Sequence, residues 1–284
     1  MSRAVDATIC GTAAVLFLAA SGLAFEPEVF VLDPAQPTPG AIVRVSLDLP
    51  PGATSGFVMF DGRKFPGFTT GGLLNAYFGI DLDVAPGTQT LGYRLGDETG
   101  TRRVVVHAKQ FATEKLTVAS KYTELGTVTQ SRVEREHRVL EDLWQTTTPA
   151  RLWTGAFVRP TAGKLGSPFG LRRFFNGKPR SPHAGLDVKA AAGSDVYASN
   201  AGTVALARDL FFTGNTVVID HGLGLYTIYA HLSRMDVEEG APVARSARVG
   251  LVGATGRATG PHLHWGVKLG GARVDPTMLP GLTL

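Results

Sequence analysis

This 284-residue chain holds a single cysteine, Cys10, inside an apolar stretch at its start. The remainder can form no disulfide, so any metal site there must be built from histidine and carboxylate. Charge is scarce as well. Only 18% of residues are Asp, Glu, Lys or Arg, too few for a disordered polyelectrolyte. Beyond the first two dozen residues, no segment offers the ~20 apolar residues of a membrane span. Glycine and proline are plentiful, at 35 and 17, and such frequent tight turns favour short strands over long helices. An apolar fraction of 44% can fill real cores. The length fits one large or two ordinary domains.

Residues 1–24 read as a signal peptide. Arg3 supplies a basic start, Ala7 to Ala20 is nearly all apolar, and Gly22-Leu23-Ala24 has the small-x-small pattern of a cleavage site. Cleavage after Ala24 is expected. An uncleaved anchor is the alternative, but the apolar core is short for a span. Cys10 sits too early in the run to be a lipid-attachment site. The mature chain is then expected outside the cytoplasm, periplasmic or wall-associated, with no membrane span. From Arg151 onward, 15 Lys+Arg outweigh 8 Asp+Glu for a net +7, whereas the preceding part carries −3. A basic half suits an anionic polymer. Export argues against nucleic acid as that polymer.

Residues 25–115 alternate like strands. Val43, Val45, Leu47 and Leu49 face one way, and Arg44, Ser46 and Asp48 the other. Pro39-Gly40, Pro51-Gly52 and Pro86-Gly87 mark turns. A sandwich of immunoglobulin type is the expected closure. Residues 116–149 form a connector. Val133, His137, Leu140 and Trp144 recur there at helical spacing, Ser131 and Glu134 make a capping-box pattern, and Thr146-Thr147-Thr148-Pro149 ends the helix. Lying just ahead of the histidine-rich half, this helix could cross a cleft there and restrain activity. Residues 150–284 return to short strands, among them Thr203–Ala207, Leu225–Ala230 and Leu263–Lys268, so an antiparallel sheet is expected. The fold class is therefore mostly β.

Four histidines and one aspartate carry the chemistry. In Gly260-Pro261-His262-Leu263-His264-Trp265-Gly266-Val267, a strand turns His262 and His264 to one face. Their Cα atoms are then roughly 6.5–7 Å apart. One imidazole can bind a metal while the other reaches a water on it. In His183-Ala184-Gly185-Leu186-Asp187, an extended chain would hold the end residues roughly 13 Å apart. Pro182 and Gly185 disfavour a helix, so a turn or bulge at Gly185 is expected to bring His183 to Asp187. Catalytic zinc needs three protein ligands and an open position. His183, Asp187 and His264 can supply the three, leaving His231 and His262 to take and give protons. His107, at the end of an apolar strand, and His221, in a turn-like stretch before Gly222, are expected to bind no metal.

The wider text strengthens this reading. Ser167-Pro168-Phe169-Gly170-Leu171-Arg172, Pro182 to Asp187, Tyr229-Ala230-His231-Leu232, Gly253-Ala254-Thr255-Gly256 and Gly260 to His264 occur in that order. Over about residues 150–280 the chain closely resembles the lysostaphin-type, or LytM-domain, zinc metallopeptidases. The resemblance implies one zinc ion at His183, Asp187 and His264, catalytic roles for His231 and His262, and a compact antiparallel β fold with a groove above the sheet. It implies endopeptidase activity on peptidoglycan peptides or cross-bridges, and it gives Arg172 and Asn215 a part in shaping the site. Arg245-Ser246-Ala247 stands where family members often have a glycine, a departure that touches a loop rather than the ligands. The rival reading is a non-enzymatic regulator or wall-binding protein on the same fold. Relatives of that kind lack ligand residues, and this chain keeps all five.

Overall fold

The computed structural model describes residues 25–116 and 127–281. The expected signal peptide, residues 1–24, lies outside the described residues, as does part of the connector. Seven strands come first: β1 (Phe30–Asp33), β2 (Ile42–Asp48), β3 (Gly56–Phe60), β4 (Arg63–Thr70), β5 (Leu73–Gly79), β6 (Gly87–Leu95) and β7 (Glu98–Val106). They pair in the order β1-β2-β5-β4-β3-β6-β7, all antiparallel. Three hairpin-linked strands with a fourth returning beside the first make a Greek key. The expected run of antiparallel strands is therefore present, and it forms one hydrogen-bonded path. Strand β4 joins the two halves of this path, pairing with β3 through Arg63–Pro66 and with β5 through Gly67–Thr70. Alternation works as read: Val43, Val45 and Leu47 are fully buried, and so are Leu91 and Leu95.

The next strand, β8 (Thr113–Leu116), leaves this sheet. It is followed by α1 (Thr127–Gln145), which stops just before the Thr-Thr-Thr-Pro stretch. Ser131 lies inside this helix rather than at its cap, so the capping-box reading is corrected. Glu134 instead accepts a hydrogen bond from Gln130 Nε2 at 3.1 Å. The docking stripe is also shifted. Leu140, Leu143 and Trp144 pack inward, while His137 is exposed and faces Glu141 at 3.7 Å.

The second half contributes β9 (Lys164–Leu165), β10 (Arg172–Phe175), β11 (Lys178–Pro179), β12 (Gly185–Lys189), β13 (Asp195–Tyr197), β14 (Gly202–Leu210), β15 (Gly214–Asp220), β16 (Leu225–Met235), β17 (Pro242–Val243), β18 (Arg248–Val252), β19 (Leu263–Leu269) and β20 (Ala272–Val274). The main path is β17-β14-β15-β16-β19-β12-β9, with β13, β18 and β20 attached to it. The β10–β11 hairpin stands apart and pairs in parallel with β8. Leu263, Trp265 and Val267 are buried as their alternation predicts. The other face of β19 carries His264, Gly266 and Lys268, paired with Ala230, Ile228 and Tyr226 of β16.

On that second face sits α1. Trp144 packs edge-on against Tyr226 and shares a cluster with Leu206 and Val218. At its other end Arg132 pairs with Asp209 at 3.0 Å, and Glu136 accepts from Phe211 N at 2.8 Å. The helix thus covers part of the face that carries His264. One apolar core runs from Ala41 to Leu279 and joins both β regions. Asp81, after β5, accepts from Arg273 N at 2.7 Å and Nε at 3.0 Å. Burial pushes the Asp81 carboxyl up, but the Arg273 hydrogen bonds outweigh it and hold it at about 2.

Candidate metal centre

Register places two of the three expected ligands. Strands β12 and β19 pair antiparallel with Asp187 opposite His264 and Gly185 opposite Gly266. Cross-strand partners share a face, so carboxylate and imidazole stand side by side. The third comes from outside the strand. His183 N donates to the Leu171 carbonyl at 3.0 Å, and the His183 carbonyl accepts from Gly170 N at 2.8 Å. The segment Phe169–Leu171 thereby turns His183 back over β12.

Gly185 does not perform the expected turn. It opens β12 in the sheet, and its φ is not left-handed. The irregular stretch is Ser181–Ala184, just ahead of it. Glycine is needed there for space: a Cβ would stand 2.6 Å from the Trp265 carbonyl oxygen and 2.7 Å from the His264 ring.

The donor atoms converge. His183 Nε2 lies 3.1 Å from Asp187 Oδ1, His264 Nδ1 lies 3.1 Å from the same oxygen, and the two nitrogens are 2.9 Å apart. Ligands at ~2.0–2.2 Å around a tetrahedral ion stand roughly 3.3–3.6 Å apart. The triangle is therefore a few tenths of an ångström from that size. His183 Nδ1 is 3.0 Å from the Pro168 carbonyl. That acceptor fixes the proton on Nδ1 and leaves the Nε2 lone pair facing the triangle. A carboxylate oxygen and an imidazole lone pair aimed at one point, with a second imidazole nitrogen beside them, suit a cation. Among the described residues these three form the group able to hold a metal ion.

The remaining pair lies alongside. His262 Nδ1 donates to the Gly260 carbonyl at 2.8 Å, and its Nε2 is 3.8 Å from Asp187 Oδ1. His231 Nδ1 donates to the Thr255 carbonyl at 2.8 Å. The His231 ring is centred 4.8 Å from that of His262 and 5.9 Å from that of His264. The expected strand stops at Ala230; instead β16 runs on through His231 to Met235, with a register shift beside His231. At φ 63° its backbone is left-handed, unusual for a non-glycine residue. Such a bulge re-aims a side chain. The bulge is held by His231 N donating to the Thr213 carbonyl at 2.8 Å.

Electrostatics match the geometry. Burial pushes the Asp187 carboxyl up, but hydrogen bonds from His183 and His264 and their charge pull it well below the carboxylate range. Burial lowers His264. Burial also brings His231 down to about 4, outweighing the Thr255 carbonyl, so the ring is neutral at pH 7.

Of the other expected residues, Asn215 donates from Nδ2 to the Leu232 carbonyl at 3.0 Å and so braces the bulge beside His231. Arg172 stacks at 5.9 Å over Phe111. His221 is fully buried and bound to Ala201 and Thr227, away from the cluster. Sequence reasoning missed Thr255 as a hub. Its Oγ1 donates to Leu232 O at 2.8 Å and accepts from Asn215 N at 3.0 Å, while its carbonyl holds His231. The quoted Gly-Ala-Thr-Gly motif was the available signal.

Residues 181–276 match the model of Peptidase family M23. A crystal structure of a putative peptidase M23 from Pseudomonas aeruginosa superposes with a TM-score of 0.70 at 34% identity, covering 87% of this chain and 96% of that one. The chain belongs to peptidase family M23. M23 enzymes are zinc metallopeptidases, in keeping with the donor set of this M23 chain. It is 42% identical over 113 residues to the peptidoglycan DD-endopeptidase ShyA of Vibrio cholerae, covering 39% of this chain. It is 39% identical over 113 residues to the DD-carboxypeptidase/endopeptidase Mpg of Neisseria meningitidis, covering 40% of this chain. These matches span about a quarter of each relative, 26% in both cases. Among the described residues of the M23 chain, no helix is long and apolar enough to cross a membrane.

Proposed function

We propose that this M23 chain is a zinc-dependent endopeptidase that hydrolyses peptide bonds in peptidoglycan stem peptides or cross-links. His183, Asp187 and His264 hold one zinc ion. His231 and His262 are the proton-handling residues. The observation that carries this reading is the convergence of three ligand atoms beside two imidazoles whose Nδ1 atoms are both tied to backbone carbonyls. The chain is divided into a signal peptide at 1–24, a β domain at 25–115, a connector at 116–149 and a catalytic domain at 150–284. It works outside the cytoplasm, in the periplasm or at the wall.

When bound, zinc supplies Lewis-acid polarisation of the scissile carbonyl and a lowered pKa for water. The chain's own groups do the rest. With Nδ1 protonated and bonded to a carbonyl, His231 and His262 each present Nε2 to the groove. A neutral Nε2 accepts a proton from the attacking water. The partner imidazole, in its doubly protonated form, donates from Nε2 to the developing oxyanion, and the proton taken from the water passes to the leaving amine. The two histidines divide these roles. The strained His231 backbone keeps its ring aimed at the reaction centre.

Digestion of purified sacculi by the zinc-loaded chain, with mass analysis of the fragments, tests this. Release of peptide-linked fragments with new amino and carboxyl termini is expected. Intact sacculi with stoichiometric zinc bound would count against it.

A further inference from the structure

Arg132 and Glu136 lie one turn apart on α1, so their side chains leave the helix on one face. Arg132 Nε donates to Glu136 Oε1 at 2.6 Å, and Arg132 Nη2 reaches Asp209 Oδ2 at 3.0 Å. The other carboxylate oxygen of Glu136 accepts from Phe211 N at 2.8 Å. Phe211 opens the three-residue turn Phe211–Thr213 between β14 and β15. The Glu136 side chain is only 18% exposed. A charged acceptor on a backbone N–H makes one of the stronger hydrogen bonds, so the helix fixes this turn.

The same turn carries what holds His231. The Thr213 carbonyl accepts from His231 N at 2.8 Å, and the Phe212 carbonyl accepts from Arg257 N at 2.9 Å. Two residues before Arg257 stands Thr255, whose carbonyl accepts from His231 Nδ1 at 2.8 Å. Turn and loop touch without slack. A Cβ on Gly256 would stand 2.3 Å from Gly214 N and 2.7 Å from the Phe212 carbonyl oxygen, and one on Gly214 would stand 2.2 Å from Thr255 Oγ1. A shift of the turn therefore moves the backbone bulge and the ring acceptor of His231 together.

We propose that Glu136 is a positioning residue for His231, and that α1 braces the reaction centre rather than restraining it. This rests on the peptidase reading above and gives the connector helix a part in it. Reacting groups must be held within ~0.5 Å of their productive geometry. Glu136 contributes to that precision through Phe211–Thr213 without touching the metal ligands.

The test is steady-state kinetics of the zinc-loaded full chain on soluble cross-linked peptides released from sacculi. Glu136→Ala should lower kcat about tenfold, the scale of one hydrogen bond to a charged group, with KM and zinc content unchanged. Glu136→Gln keeps an acceptor for Phe211 N and should recover most of the loss. Glu134→Ala, at an exposed position of the same helix, should change nothing. In ¹⁵N-labelled protein the His231 amide signal should move in Glu136→Ala and return in Glu136→Gln. An unchanged or raised kcat in Glu136→Ala, a loss that Glu136→Gln does not recover, a fall in zinc content, or an unmoved His231 signal overturns the proposal. If Glu136→Ala does not fold, Arg132→Ala, which frees the Glu136 carboxylate, decides by the same readouts. If the unaltered chain cuts nothing, the peptidase reading falls, and the amide signals alone decide whether Glu136 positions His231.

Discussion

His221 and His231 are both buried, burial pushes both down to about 4, and both bind a backbone carbonyl through Nδ1. Their surroundings differ. His221 Nε2 is satisfied by Thr227 Oγ1 at 2.8 Å, its ring lies against Phe157, and its backbone is unstrained. His231 sits on a left-handed bulge, and its ring faces His262 and His264. Burial and a depressed pKa therefore do not by themselves mark a functional histidine. The proton-handling role proposed for His231 rests instead on a ring nitrogen with no partner among the described residues, on a left-handed backbone beside the ligand triangle.

The largest effect should come from the triangle itself. His264→Ala and Asp187→Ala are expected to lose zinc, measured by metal analysis, and with it all turnover. Next is His231→Ala, which should keep its zinc and lose turnover by about 10²–10⁴-fold, the usual worth of general acid–base catalysis. His262→Ala should behave alike. Full activity in either variant would break the contrast with His221.

Gly185→Ala should press on the Trp265 carbonyl and the His264 ring together, so β12 and β19 shift where they pair beside the ligands. A drop in zinc affinity of about 10–100-fold, the scale set by disturbed ligand support, is expected in a chelator competition. Unchanged affinity would show that the close approach at Gly185 has no bearing on the site.

His221→Gln should do least to function, with turnover on sacculi unchanged, while reporting on stability. Burial lowers the folded pKa of His221 to about 4 from the ordinary 6.5. Between those values the unfolded chain binds more protons. The stability tied to neutral His221 is present above pH 6.5 and is lost as pH falls toward 4, by roughly 3 kcal/mol in all. The melting temperature of the unaltered chain should therefore fall more steeply over that range than that of His221→Gln. Parallel curves would mean that His221 does not titrate as its burial requires.

Much of this was legible in residue order. Alternation at Val43, Val45 and Leu47 and at Leu263, Trp265 and Val267 identified buried faces, because a strand repeats every two residues. The same rule set His262 and His264 on the side where both rings face Asp187. Backbone partners were not legible. The carbonyls of Pro168, Thr255 and Gly260 orient three imidazoles, yet every residue carries a carbonyl and none announces its use. Gly185 was read as a turn because glycine permits one; only packing against His264 reveals that absence of a side chain is what matters. The capping-box pattern failed because a local motif competes with wherever the helix actually begins.

Residue types and spacing alone thus decided that the chain is mostly β, that it has no thiol ligands outside its first residues, and that five groups suited to a metal site recur in its second half. Those are matters of periodicity and side-chain chemistry. Only the folded chain decided that His183 is carried back over β12, that His231 sits on a bulge, and that both β regions share one core. Each of these depends on contacts between residues far apart in sequence, and no local period encodes such contacts.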